Sequence, residues 1–172
     1  PEHFDRYKKT QGWNTAINRR QFAIDSDKFS WPSSYRYPDE IYENECSFKQ
    51  GNFTFNLYHA RGETDDHTWV HIPEAKILAP GDLFIWAVPN GGNPQKVQRY
   101  ISDWAEALDK MKEMESEILL PGHGFPIFGQ ERIKIALTTT SELLKSIEDQ
   151  TLVLMNKGCL LYTSPSPRDQ AK

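Results

Sequence analysis

The chain has 172 residues, with 20 Lys and Arg against 24 Asp and Glu, which gives a formal net charge of -4. That length suits one domain with a sizeable core, and a hydrophobic content of 38% with 12% aromatic residues argues against disorder. The acidic balance and the absence of a basic stripe predict that nucleic acid is not a partner. The sequence has no apolar run of about 18 residues, so we expect no membrane span. The compartment stays open, with the cytoplasm as the default expectation, and the oligomeric state stays open as well.

Both ends of the chain are abrupt. After Gly158 the sequence loses its periodicity, and residues 159–172 resemble the translation of a sequencing-library adapter, although a natural Ser/Pro-rich tail is the alternative. Pro1 is not a start residue, and no signal peptide follows it. We therefore expect residues 1–158 to be part of one domain within a longer protein, and residues 159–172 to be an artefactual, disordered tail.

Short strand patterns dominate the middle of the chain, after an irregular segment over residues 1–40. Alternating apolar residues and turn signals predict strands at 42–48, 53–59, 68–72, 76–79 and 117–120. Asn93 and Pro94 predict the start of a first long helix, and helical spacing predicts a second over 130–156, ended by Gly158. The order of strands, helix, strand and helix predicts a layered α/β half-domain.

Three Gly-containing motifs place metal-competent side chains beside strands. The first runs from Arg61 to Thr68 and holds the side chains of Glu63, Asp65, Asp66 and His67. The second places Asp82 after Gly81, and the third places His123 between two glycines. Carboxylate oxygens and imidazole nitrogens suit Zn²⁺, Mn²⁺ or Fe²⁺, and a scaffold can aim strand-end loops at one point. Each motif alone is a common charged turn, so only their succession indicates a metal site.

This succession resembles the C-terminal half of the metallo-β-lactamase superfamily of hydrolases. In most members the first motif reads Gly-His-Thr-x-Gly-His, whereas here Glu63 occupies the first His position. A carboxylate in that position resembles the alkylsulfatase-like branch, as do the stretches 17–22 and 89–100. The resemblance covers about residues 1–158 and implies an α/β fold, namely the C-terminal half of an αββα sandwich.

The resemblance implies a ligand set and a cofactor. Glu63 and His123 would be terminal metal ligands, Asp82 would bridge two ions, and Asp82, Asp66 and His67 would serve catalysis. The cofactor would be Zn²⁺, as two ions, with other divalent transition metals as alternatives. The His-x-His-x-Asp-His motif that supplies the remaining ligands in the family does not occur in this sequence, and the family pattern places it N-terminal to this region.

Several polar residues are candidates for binding an anionic substrate, because guanidinium groups bind sulfate, phosphate or carboxylate through paired hydrogen bonds. These candidates are Arg19, Asn90, Lys96 and Arg99. For each of them, an ordinary surface or loop role is the alternative.

The function predicted from the sequence is that of a metal-dependent hydrolase acting on a small anionic ester such as an alkyl sulfate, with this fragment itself inactive. Its partner would be a small-molecule substrate, without nucleic acid or membrane. One alternative is a catalytically dead binding module of the same fold, and another is a thioester or lactone hydrolase on that fold, because fold does not fix substrate.

Overall fold

The computed structural model describes residues 36–92 and 99–159. The chain divides into two units, Pro1–Ile41 and Tyr42–Lys172, and every helix and strand below lies in the second unit. The irregular segment expected over residues 1–40 therefore falls mostly outside the described residues, as does nearly all of the tail expected at 159–172. The division of the chain into a domain and a tail stays a prediction.

A six-stranded mixed sheet forms the framework, with its strands side by side in chain order. The first four strands form an antiparallel meander, β4 then runs parallel to β5, and β6 returns antiparallel to β5. The strands are β1 (Glu45–Gln50), β2 (Phe53–Ala60), β3 (His67–Ile72), β4 (Ile77–Ile85), β5 (Ile118–His123) and β6 (Ile127–Phe128). The α/β class predicted from the order of elements is confirmed.

Strand β4 is more than twice as long as the sequence predicts. The expected strand stopped at residue 79 because Pro80 and Gly81 are typical of a turn, yet β4 continues to Ile85. Gly81 takes up a positive φ of 55°, and the pairing of β4 with β5 shifts register on both sides of it. Such an irregularity lets a strand continue through residues that would break a regular ladder, and it changes the direction of the side chains that follow.

Two helices accompany the sheet, α1 (Ile101–Lys112) and α2 (Gln130–Asn156). The bounds of α2 are those predicted. The expectation that Arg99 lies inside α1 is wrong, because Arg99 and Tyr100 are not helical and α1 begins at Ile101. The Tyr100 N–H instead donates to the Gly62 carbonyl at 3.0 Å. Within the described residues, no helix is both long and apolar enough to cross a membrane.

The core lies where the helices cover the sheet. Trp69, Leu78 and Leu119 pack there with Trp104, Leu108 and Met111 of α1 and with Leu137 and Leu144 of α2. Full burial of one such aliphatic side chain is worth about 1.5–3 kcal/mol relative to exposure. The apolar side chains at helical spacing on α1 and α2 therefore hold both helices against the strands.

A polar contact joins the two helices beside this core. The Asp109 carboxylate of α1 accepts from Ser141 at 2.8 Å and pairs with Lys145 at 2.5 Å and Lys112 at 2.7 Å. Burial alone would raise the pKa of Asp109, but hydrogen bonds from Lys112, Lys145 and Ser141 outweigh burial and lower this pKa from 3.8 to about 2. The ionised carboxylate is therefore stabilised by folding.

We expect Asp109→Asn to flatten the acid dependence of stability. Because folding lowers the Asp109 pKa, its contribution is present above about pH 4 and disappears as pH falls towards about 2. After allowance for solvent screening, wild type should lose about 1 kcal/mol more than the variant over this range. Urea unfolding at a series of pH values measures the difference. Asp149→Asn, at an exposed position of α2, is the control, and equal slopes in Asp109→Asn and wild type would contradict the assignment.

Candidate functional site

Two of the predicted metal ligands meet where the parallel strands β4 and β5 end. His123 is the last residue of β5 and pairs with Ile85 of β4, while Asp82 lies in the register shift between Gly81 and Ile85. The His123 Nε2 is 3.3 Å from the Asp82 Oδ1, and their side chains are 75% and 41% exposed. The carboxyl ends of parallel strands are where open α/β sheets bind ligands. The structure thus presents an accessible oxygen and nitrogen donor pair at this edge.

The close approach of Asp82 to His123 requires glycine beside it. A Cβ atom on Gly122 would collide with the Asp82 Oδ1 and lie 2.7 Å from the Gly81 carbonyl oxygen. Gly81 itself has a positive φ of 55°, a conformation that side-chain-bearing residues rarely adopt. The glycine of Pro-Gly-His therefore lets β5 touch β4 beside Asp82, whereas the glycine of Pro-Gly-Asp permits the positive φ of β4 just before Asp82.

His67 supports the same region from the start of β3. Its Nε2 lies 3.0 Å from the Pro80 carbonyl oxygen, and because a carbonyl only accepts, this nitrogen carries the proton. A Cβ atom on Gly81 would lie 2.7 Å from the same nitrogen, so the ring packs directly on that glycine. His67 thereby fixes the backbone of β4 immediately before Asp82.

Glu63, the third predicted ligand, is paired with Arg99. Its carboxylate Oε1 is 2.7 Å from the Arg99 Nη1, and the Arg99 side chain is 3% exposed. This contact is an ion pair rather than an aligned hydrogen bond, since the Arg99 Nε and Nη1 atoms find no hydrogen-bond partner within the described ranges. Burial lowers the pKa of the Arg99 guanidinium.

The loop that carries Glu63 and Asp66 contacts the neighbouring elements at several points. Gly62 packs so tightly that a Cβ atom there would lie 3.0 Å from Trp104 of the core. His59 contacts the Asp65 carbonyl oxygen through its Nε2 at 3.2 Å, which fixes the loop to β2. Arg61 pairs with Asp103 at 2.5 Å and lies over the Tyr100 ring, 4.6 Å from its centroid.

The structure brings together some of the predicted site residues and separates others. Asp82 and His123 are in contact, but within 36–92 and 99–159 no group of three or more His, Cys, Asp or Glu side chains is placed to hold a metal ion. Asp66 is exposed in its loop, and Asn90 is exposed with its Oδ1 accepting the Gly92 N–H at 3.3 Å. Arg19 and Lys96 lie outside the described residues. The functional roles of all these residues stay predictions.

Sequence reasoning missed two contacts at this site. The Glu63–Arg99 ion pair joins residues far apart in the chain, and no local spacing connects them. Trp86 contacts the residues that follow His123, and no sequence motif predicts this contact. In both cases, the only signal in the sequence was an unexplained charged or aromatic residue near a motif.

A cleft in the described part of the chain lies away from the Asp82–His123 pair. A cleft of about 330 Å³ opens between β2 and α1, lined by residues that include His59, Arg61 and Asp103. None of Glu63, Asp82 and His123 lines it. The donor pair instead lies on an open edge, where another part of a protein or a ligand can approach it.

No protein-family model matches the chain. It is 23% identical to a linear primary-alkylsulfatase of Pseudomonas sp. (strain ATCC 19151) over 128 residues, which is 73% of this chain and 24% of that protein. Its structure aligns with the sec-alkylsulfatase Pisa1 from Pseudomonas sp. at a TM-score of 0.64 and 20% identity, over 70% of this chain and 20% of Pisa1. It also aligns with a metallo-β-lactamase from Pontibacter korlensis at a TM-score of 0.52 and 24% identity, over 66% of this chain and 51% of that protein.

The chain has the metallo-β-lactamase fold. The predicted fold class and the predicted resemblance to the alkylsulfatase-like branch are therefore confirmed. The chain spans about a quarter of the length of the curated alkylsulfatase, at 24%.

We expect Gly122→Ala to push β5 away from Asp82 and to destabilise the protein by about 1–3 kcal/mol, as overpacking does. Gly92→Ala is the matched control, because a Cβ atom on Gly92 meets nothing within 4 Å. Urea unfolding measures the stability, and the ring signals of His123 in NMR spectra report its environment. Equal effects of the two substitutions would contradict the close approach of the strands.

Proposed function

We propose that the protein to which this chain belongs is a metal-dependent hydrolase of small anionic esters, such as alkyl sulfates. The observation that carries this proposal is the 3.3 Å contact between the Asp82 carboxylate and the His123 imidazole at the ends of parallel strands. The support from comparison is that the chain is similar to two proteins named as alkylsulfatases, to one in sequence and to the other in structure.

The described residues fit a metal ion in part. Asp82 and His123 offer the oxygen and nitrogen donors that zinc binds, and both side chains are accessible. Zinc takes about three or four protein ligands, so this pair would be one part of a donor set. We propose Glu63 as a further ligand, which requires its carboxylate to bind the metal while it stays paired with Arg99. A bound zinc ion, or two, would supply a hydroxide nucleophile by lowering the pKa of water towards about 7.

The remaining residues have roles that follow from their contacts. His67 would hold Asp82 in place through the Pro80 carbonyl, and the exposed carboxylate of Asp66 would accept or deliver a proton at the rim. Arg99 would offset the charge that Glu63 brings to the site, because its guanidinium is buried beside that carboxylate. We propose that Asn90, Arg19 and Lys96 bind the substrate.

The metal proposal is tested by titrating the 172-residue chain with Zn²⁺ and measuring the affinity by calorimetry, with the His123 ring signals followed by NMR in the proteins that keep this residue. We expect weak but specific binding that Asp82→Asn and His123→Gln each reduce by about tenfold or more, because each removes a ligand. Glu117→Gln removes an exposed carboxylate, paired with Lys76, just before the other end of β5 and should bind zinc as wild type does. Equal binding by all four proteins would show that this pair is not the site.

Substrate class is tested separately by hydrolysis assays. We expect no turnover by this chain alone, and turnover of an alkyl sulfate when the chain is expressed with any coding sequence that flanks it in its gene. A lactone, a thioester and a phosphodiester are the comparison substrates. Faster cleavage of one of these would replace the sulfatase assignment, and no cleavage of any would favour a binding module.

A further inference from the structure

Trp86 touches each of the three residues that end β5 and begin the following turn. Its backbone N–H donates to the His123 carbonyl at 3.3 Å, and its indole Nε1–H donates to the Phe125 carbonyl at 2.7 Å. Between them, Gly124 has a φ of 101°, and a Cβ atom there would collide with the indole ring. Trp86 thus contacts His123 through its backbone, and Gly124 and Phe125 through its side chain.

Core packing does not account for this tryptophan. Trp86 is 58% exposed and meets the buried Phe84 only edge-on, with ring centroids 6.1 Å apart. Trp104 provides a contrast, because its indole donates to the Leu83 carbonyl at the same 2.7 Å while the residue is 2% exposed in the core. The indole hydrogen bond of Trp86 serves the turn rather than the interior.

His123 needs such support. Its side chain is 75% exposed, so the packing of neighbours around the ring cannot hold it against Asp82. The direction of the imidazole therefore depends on the backbone of residues 122–125, which contains two glycines and has little stiffness of its own. A donor that must meet a metal or substrate has to be held to about 0.5 Å by the residues around it.

We propose that Trp86 is a positioning residue that fixes the His123 turn, so that the imidazole stays beside Asp82. The indole N–H holds the turn from one side, the ring fills the space over Gly124, and the backbone N–H holds His123 itself. This role rests on the proposed function only in that His123 is taken to be a ligand.

The test compares Trp86→Phe with Phe128→Leu in the 172-residue chain. Trp86→Phe keeps an aromatic ring but removes the indole donor. Phe128 is a similarly exposed aromatic residue, at 59%, on β6, which is the strand next to β5. Trp86→Phe should keep the thermal midpoint within about 3 °C, since surface substitutions change stability little. Its residue-86 amide should exchange with solvent at least about fivefold faster, and its affinity for Zn²⁺ at His123 should fall by about tenfold, as for loss of a residue that orients a ligand. Phe128→Leu should change neither quantity.

Three outcomes separate the possibilities. Unchanged amide exchange and zinc affinity in Trp86→Phe would overturn the positioning role. Faster exchange at all amides together, with a lowered thermal midpoint, would also overturn it, because Trp86 would then serve general stability; Trp104→Phe provides the reference for that pattern. If wild type shows no zinc-dependent change at His123, the proposed function fails, and amide exchange at residue 86 still decides the role of Trp86.

Discussion

The arrangement of the site depends on the parallel pairing of β4 with β5, and on the glycines that let these strands approach. A Cβ atom on Gly122 would strike the Asp82 carboxylate and the Gly81 backbone, and a Cβ atom on Gly81 would strike the His67 ring. The pairing shifts register on both sides of Gly81, Asp82 follows within the second shift, and the last residue of β5 is His123. A regular ladder without glycine would hold the same strands in place but would separate the carboxylate from the imidazole.

The helices contribute to the site indirectly. Helix α1 covers the sheet through Trp104 and Leu108, and the residues just before it bind the loop that carries Glu63. The Asp109 contacts then join α1 to α2, so that the loop, both helices and the sheet form one connected structure. The surface of the candidate site is therefore open, while the backbone beneath it is fixed by the core.

Charge is distributed unevenly across the site. The carboxylate of Asp82 is accessible beside the His123 imidazole, whereas Glu63 is paired with a guanidinium that is almost wholly buried. A buried arginine without a counter-ion would be costly, so Glu63 stabilises the fold whether or not it also binds a metal. Glu63 and Asp82 both look like accessible ligands in the sequence motifs. In the structure, Asp82 is accessible, whereas Glu63 is paired with a buried arginine.

The sequence by itself determined the elements whose patterns are local. Helical spacing and Gly158 predicted the bounds of α2, alternating Phe53, Phe55 and Leu57 predicted β2, and three short motifs predicted the fold family and the Asp82 and His123 candidates. Only the tertiary structure decided the length of β4, the start of α1, the partner of Glu63 and the contacts of Trp86. Each of these depends on a neighbour distant in the chain, because strand pairing overrides a Pro-Gly turn signal and a carbonyl from another loop replaces a helical hydrogen bond.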